Sequence, residues 1–323
     1  MLLVVLINSK GFAQDPTFSQ WEQIPIYFNP ALTGDFEGTL RLRAKYRDQW
    51  RSILGDDAFV SGVASAEYKF AKGDQRKISV GFHTLHDRAG EAVFTTNSYN
   101  LSAAVIQNLG DPAAAHHNLS VGFSIGLASK KLDLDGLIFN PFPGEINEPE
   151  ENLNEKTSYG DLSLGINWNY RSNNHFSSQF GLALSHVNTP NVSFTGDNNS
   201  NLSSRFNLHG NIEIPIIHQL SIVPSFLYIN QGSSDQLLFG FNSKWYLNQT
   251  KPDFVQLGFF LKNTLNFNGR AINVYVISAT VEVKSIVIGF AYDRFTKIIN
   301  GSNAYEFSLG YTIGRGSTNQ AKK

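Results

Sequence analysis

Apolar side chains recur at every second position through most of the chain, and small or polar residues fill the positions between them. Leu119, Val121, Phe123, Ile125 and Leu127 share one face of such a stretch, with Ser120, Gly122, Ser124 and Gly126 on the other. Leu162, Leu164, Ile166, Trp168 and Tyr170 stand in the same way against Asp161, Ser163, Gly165, Asn167 and Asn169. Near the end, Tyr305, Phe307, Leu309, Tyr311 and Ile313 alternate with Glu306, Ser308, Gly310 and Thr312. A period of two is the signature of a β-strand, whose side chains point alternately to opposite faces. It predicts fourteen strands, at roughly 38–50, 58–70, 77–87, 94–108, 118–134, 159–171, 175–187, 204–215, 219–230, 236–247, 253–263, 271–283, 285–295 and 303–313.

Three features favour a transmembrane antiparallel up-and-down β-barrel over a soluble sandwich or propeller. Many segments run to ten residues or more, where soluble strands cluster at about 5–6 and a tilted bilayer-crossing strand needs about 9–11. The non-apolar face is small and polar, as in a wet lumen, whereas a two-sheet core is apolar there. Aromatic residues gather near segment ends, at Trp50, Tyr68, Phe70, Trp168, Tyr170, Trp245, Tyr246, Tyr292 and Phe295, as interfacial girdles require. Loop parity agrees. The even-numbered connections are short, at 71–76, 109–117, 172–174, 216–218, 248–252 and around Lys284, while the odd ones include the two longest, 135–158 and 188–203. Short turns on the periplasmic side and long loops outside are the outer-membrane asymmetry.

The first strand carries cations at Arg41, Arg43, Lys45 and Arg47, alternating with Leu40, Leu42, Ala44 and Tyr46. Facing lipid, each charge would cost about 2–4 kcal/mol near the bilayer midplane, so the four belong in the lumen. In a closed barrel this strand lies between strand 2, which offers Glu67, and strand 14, which offers Glu306. Those carboxylates are expected to neutralise part of the column.

Composition narrows the function. The chain has 323 residues, a net charge of −1 and no cysteine. A near-neutral balance argues against nucleic acid as a partner. The missing cysteine removes disulfides, thiolate catalysis and Cys-ligated zinc. The start, "MLLVVLINSKGFAQ", has a short apolar core followed by small residues. It is expected to be a signal peptide over 1–13, cut after Ala13 and truncated at its own start. Residues 14–36 then form an N-terminal segment lining or plugging the periplasmic barrel mouth, 37–314 the barrel, and 315–323 a periplasmic tail. In the segment, Phe18, Trp21, Tyr27 and Phe28 are the expected anchors, against the simpler reading of a plain lead-in to the first strand.

The most distinctive stretch is "QDPTFSQWEQIPIYFNPALTGD", Gln14 to Asp35, followed by "RLRAKYRDQW". It resembles the opening of the PorP/SprF family of Bacteroidetes outer-membrane proteins. The matching positions are Asp15, Pro16, Phe18, Ser19, Gln20, Tyr27, Asn29, Pro30, Ala31, Gly34, Arg47, Gln49 and Trp50. The likeness continues through "DRAGE" (Asp87 to Glu91), "AYDRF" (Ala291 to Phe295) and "YEFSLGYTIG" (Tyr305 to Gly314). The tail from Arg315 departs from barrels that stop at an aromatic residue. What the resemblance implies is a role in type IX secretion and gliding motility, in which the barrel binds the C-terminal domain of a secreted surface protein or adhesin. Other secretion components of the periplasm and outer membrane, and outer-membrane lipid, are the further partners it implies. Asp15, Pro16, Phe18, Gln20, Tyr27, Asn29, Pro30, Gly34, Gln49 and Trp50, with Arg41, Arg43, Lys45 and Arg47, are then candidate partner-binding residues; the simpler reading of the charge column is internal lumen electrostatics.

Other candidates are weaker. The acidic loop with Glu145, Glu148, Glu150, Glu151 and Glu155 is a docking or calcium candidate, but "LDLDG" lacks the spaced ligands of a calcium loop. His116 and His117 sit in a turn, and His83 and His86 face opposite sides of one strand, so no pair has metal-ligand spacing. No catalytic residue, cofactor or metal is expected, and a barrel hydrolase is the least favoured class. A passive or fatty-acid-type channel is the alternative to the secretion role.

Overall fold

The computed structural model describes residues 14–71, 75–90, 94–110, 116–133, 154–172, 176–196, 200–248, 253–265, 271–296 and 302–314. The expected signal peptide, the tail from Arg315 and most of the acidic loop lie outside these residues.

Fourteen strands form one closed antiparallel barrel in which each strand pairs with its sequence neighbours and the first closes on the last. They are β1 (Leu40–Gln49), β2 (Phe59–Ala71), β3 (Arg76–Ala89), β4 (Phe94–Asn108), β5 (His116–Lys131), β6 (Lys156–Arg171) and β7 (Ser177–Ser185). The second half comprises β8 (Arg205–Ile217), β9 (Leu220–Gln231), β10 (Ser234–Tyr246), β11 (Phe254–Leu265), β12 (Ala271–Val283), β13 (Ile286–Thr296) and β14 (Asn303–Ile313). Closure leaves no strand edge to be satisfied by water, which a bilayer does not supply. All fourteen segments anticipated from alternation are present, with ends shifted by a few residues. Even-numbered connections are short, two of them only 218–219 and 284–285, whereas the odd ones include 132–155 and 186–204. The barrel therefore has a short-turn end and a long-connection end.

The outward positions are apolar and exposed, as in Val121, Phe123, Ile125 and Leu127 of β5, while Ser120, Ser124 and Ala128 between them are buried. Tyr68 and Phe70 pack edge to face at 4.8 Å near the short-turn end, and Trp168 stacks on Phe180 at 6.1 Å. Two of the expected girdle aromatics turn inward instead. The Tyr246 hydroxyl donates to Glu213, and Phe295 packs on the core and on the Trp50 ring. A hydroxyl or ring at a strand end is drawn to whichever face offers a partner.

The lumen is not the uniformly small, polar channel that the alternation implies. Val63, Leu85, Leu227, Ile229, Leu238, Phe260, Val274 and Val276 face inward and form a core with Phe18, Trp21, Ile24 and Phe28 of the N-terminal segment. That segment folds into three short helical turns, Trp21–Gln23, Pro25–Phe28 and Pro30–Leu32, with prolines starting two of them. Proline fixes φ and lacks an N–H that a first helical turn leaves unpaired in any case. Residues 15–37 cross the lumen from the long-connection end to the short-turn end rather than stopping at a mouth. Room for them comes from missing side chains on the wall. A Cβ at Gly122 would overlap the Pro30 carbonyl, and one at Gly165 would overlap the Asn29 side chain.

Replacing Phe123, midway along the outward face of β5, with arginine should cost about 2–4 kcal/mol of stability in lipid, since the charge enters hydrocarbon. The same change at Ser129, near the rim, should cost about 1 kcal/mol or less. Chemical unfolding from liposomes checks both, and equal costs would contradict the placement of the bilayer.

Candidate functional site: the anchored lumen segment

At the long-connection end, Asp15 sits among residues from three parts of the wall. Its carboxylate meets His186 Nε2 at 2.6 Å and Arg205 at 3.6 Å, and its backbone N–H donates to Gln231 at 3.0 Å. His186 Nδ1 contacts Asp161 at 2.8 Å, so the imidazole is held between two carboxylates. The next carbonyl, Pro16, accepts from Tyr27 Oη at 2.8 Å, and Arg205 lies over the Tyr27 and Phe28 rings. Asp15 and His186 both lie outside the membrane-spanning strands. Burial alone would raise the Asp15 pKa, but His186 and Arg205 outweigh it and hold the group well below the usual carboxylate range. Burial likewise opposes charge on His186, yet Asp15 and Asp161 push its pKa up to about 10.

A second anchor lies where the barrel closes. Glu306 on β14 accepts from the backbone N–H of Ser19 at 2.6 Å and of Gln20 at 3.0 Å. It also pairs with Lys45 at 2.8 Å and with Arg47. Arg47 reaches Asp293 at 2.9 Å, Lys262 reaches Asp293 at 3.1 Å, and Ser19 Oγ donates to Asp293 at 2.7 Å. Five charged side chains from four strands thus surround two consecutive residues of the segment, with Phe18 under the Lys45 ammonium at 5.7 Å. Both carboxylates of this cluster are fully buried. Buried charges persist only when paired and hydrogen-bonded, a condition met jointly by wall and segment.

The middle of the segment is fixed by amides. Asn29, fully buried, donates to the carbonyls of Ile166 at 3.1 Å and Leu182 at 3.3 Å, contacts His209 at 3.0 Å and accepts from Ala31 N–H at 2.9 Å. Asn207 donates to the Phe28 carbonyl at 2.7 Å. Toward the short-turn end, Gly34 (φ +79°) donates its N–H to Glu67 at 3.0 Å, and Glu67 takes a bidentate pair of 2.8 Å bonds from Arg41. Asp35 then accepts from Asn169 at 2.7 Å and Gln179 at 2.8 Å, and Glu37 pairs with Arg171 at 2.5 Å.

Of the candidate residues, Asp15, Pro16, Phe18, Gln20, Tyr27, Asn29, Pro30 and Gly34 all lie on this one path through the lumen. Arg41, Lys45 and Arg47 line it from β1, with Gln49 accepting from Arg47 at 2.9 Å. Arg43 lies against Gly310 and donates to the Leu42 carbonyl at 3.3 Å. Trp50 stands apart, capping β1 at the long-connection end against Phe59 and Phe295. The partners expected for the column, Glu67 and Glu306, are where β1 needs them. Alternation alone did not find Asp293, Lys262, His186 and Arg205. Asp293 and Lys262 occupy inward positions that the period of two marks, but their proximity to residue 19 comes from barrel closure. Among the described residues no cluster of His, Asp and Glu has the makings of a metal site.

Glu306→Gln should cost about 3–5 kcal/mol, because it leaves buried cations short of a counter-charge. Amide exchange in the peptide around Ser19 and Gln20 should rise with it; unchanged protection would separate the segment from the charge cluster. The Asp15–His186 contact gives a pH dependence. With its folded pKa raised above the usual 6.5, His186 stabilises fully below that value and loses the contribution as pH climbs through about 10. Asp15, depressed, contributes above its ordinary range and loses its share only in strong acid. The melting-point difference between wild type and His186→Asn should therefore be largest near pH 5–6.5 and vanish by about pH 11. A difference that grows with pH would contradict the ion pair.

A profile described as "Type IX secretion system membrane protein PorP/SprF" matches residues 10–311, nearly the whole chain. No curated protein matches. Among solved structures, the chain is similar to a FadL homologue of Pseudomonas aeruginosa, at 12% identity and TM-score 0.53, covering 89% of this chain and 93% of that one. The translocator domain of the autotransporter NalP from Neisseria meningitidis matches at 11% identity and TM-score 0.37, over 87% and 91%. Identities this low speak for the fold alone. With the segment motif, the charged first strand and the barrel of an outer-membrane protein in place, the match decides the family: the chain belongs to the PorP/SprF family of type IX secretion system membrane proteins.

Proposed function

We propose that the protein serves type IX secretion as a non-catalytic partner of a secreted surface protein or adhesin. It binds that protein's C-terminal domain at the outer membrane and holds it there during export and attachment, in gliding cells as part of the motility apparatus. Periplasmic and outer-membrane components of the same system are its further partners. One observation carries this choice over a passive channel: the chain fills its own lumen. Residues 15–37 are tied to the wall by the Asp15–His186 contact, by Glu306 and by Glu67, and by an apolar core between them. Removing such a segment to open a pore means breaking the Asp15–His186 ion pair and the hydrogen bonds from segment N–H groups to the Glu306 and Glu67 carboxylates, the latter at about 1.5–3 kcal/mol each. The surface that remains for a cargo is the long-connection end and the outer wall.

The segment motif then acts from within. Asp15, Gln20, Asn29 and Gly34 set the shape of the barrel that the cargo meets, through contacts to seven strands. Asp35 and Glu37 reach the short-turn end beside a polar cavity of about 300 Å³ that Arg41, Glu213 and Lys244 also line, the side expected to face the periplasm.

Extraction in mild detergent with an affinity tag after Lys323 tests the proposal. One large secreted protein should co-purify, and its recovery should be lost when its C-terminal domain is deleted. The purified barrel alone should give no steady conductance in a planar bilayer. A barrel that purifies alone and conducts ions would replace this reading with the channel.

A further inference from the structure

Strands β3 to β6 are the longest consecutive run in the barrel, and their pairing lines the outward residues into rows. At the long-connection end, Arg88 pairs with Thr95, Thr95 with Lys131, and Lys131 with Lys156. Three cations thus stand in one row across four strands, separated by about 5 Å per strand. Lys131 and Lys156 are exposed and directly opposite each other. Like charges so placed destabilise a sheet unless something neutralises them. No carboxylate lies on the outward face of β3 to β6 themselves, where among the described residues no ion pair joins either lysine; Asp133 and Glu155 flank the row just beyond the strand ends. The Arg88 guanidinium donates to the Asp56 carbonyl at 2.9 Å, a neutral acceptor.

The wall beneath the row fits one kind of counter-charge. Ser129 follows Lys131, and from Leu127 and Tyr99 downward the outward side chains are apolar. Four residues separate Lys131 from Leu127, about 14 Å along a strand that tilts by roughly 40°, so the cations stand about 10 Å beyond the hydrocarbon boundary. That is the headgroup level of a bilayer. Lower, where this wall meets β2, Ala66 of β2 and Ala103 leave a dent between Tyr68, Phe82, Leu101 and Phe123, a lipid-facing groove of about 440 Å³. At the opposite end of these strands, the one outward arginine or lysine among the described residues, Arg76, is bonded to Gln107 at 3.0 Å. Among the described residues the cationic row is therefore a feature of one rim of this wall.

We propose that the β3–β6 wall binds a phosphorylated glycolipid of the outer leaflet. Lys131, Lys156 and Arg88 hold its phosphate, and an acyl chain lies in the groove between Ala66 and Ala103. Charge and shape point to the same occupant. A dianionic phosphate at the rim relieves the Lys131–Lys156 repulsion, and only a lipid carries that charge in register with a chain reaching the groove. The site rests on the orientation in which the long connections face outside, and it is independent of which cargo the protein holds. The chain's own acidic stretch, with Glu148, Glu150 and Glu151, is the competing counter-charge.

Native mass spectrometry of the full-length protein in detergent micelles, titrated with bisphosphorylated lipid A, tests this. Dephosphorylated lipid A and phosphatidylglycerol serve as comparison ligands. Wild type should bind lipid A in preference to both. Lys131→Gln/Lys156→Gln should weaken lipid A binding at least tenfold, Lys131→Arg/Lys156→Arg should bind within about twofold of wild type, and Ala103→Phe should weaken both forms of lipid A. Heat-shifted gel mobility confirms that each variant is folded. Equal lipid A binding by wild type and the Gln pair would overturn the proposal, as would equal binding of the phosphorylated and dephosphorylated forms. The latter is the outcome if the acidic stretch already neutralises the row. Preference for phosphatidylglycerol would place this rim at the inner leaflet and overturn it as well.

Discussion

Closing the barrel brings the cationic face of β1 against β14 inside a space that excludes most water, and the rest of the architecture accommodates that charge. Lys45 and Arg47 are tolerable there because Glu306 and Asp293 arrive opposite them, with Lys262 sharing the second carboxylate. Both carboxylates also accept from the segment: the backbone N–H groups of Ser19 and Gln20 bond to Glu306, and the Ser19 hydroxyl bonds to Asp293. The lumen segment is therefore part of the electrostatic solution of the barrel seam. A first strand with this charge pattern and a segment with this motif belong together physically.

The same segment settles the packing problem. Fourteen strands enclose more volume than their inward side chains fill, since much of the wall offers Gly, Ser and Asn. The short turns carry Trp21, Ile24 and Phe28 onto the apolar inner faces of β9 to β12, while Asn29 meets the polar side at β6 to β8. One face of the segment thus completes a hydrophobic core, and the other satisfies backbone and amide groups. The result is a barrel whose lumen the segment occupies, with its longest connections at one end.

Outside, the wall shows a different division of labour. The girdle and apolar rows are generic consequences of lying in a bilayer, but the cations on β3, β5 and β6, which make no ion pair among the described residues, are not required by it. Charge on a lipid-facing rim interacts with headgroups over about a Debye length of 8–10 Å, so its placement on one rim gives the barrel a chemical polarity across the membrane.

Periodicity in the sequence determined strand number, which side chains face lipid, and which end carries the long connections, because alternation and turn length are local properties. It also put Arg41 to Arg47, Glu67 and Glu306 in the lumen, since charge in hydrocarbon is prohibitive. Alternation could not say what fills the lumen: residues 14–36 have no period, and their fold is dictated by the wall around them. The meeting of Asp15 with His186, of Ser19 with Asp293, and of Lys131 with Lys156 depends on closure and register, which bring together positions tens to hundreds of residues apart. Those contacts were decided only by the tertiary structure, because no local pattern encodes which strands of a closed sheet will face the same point.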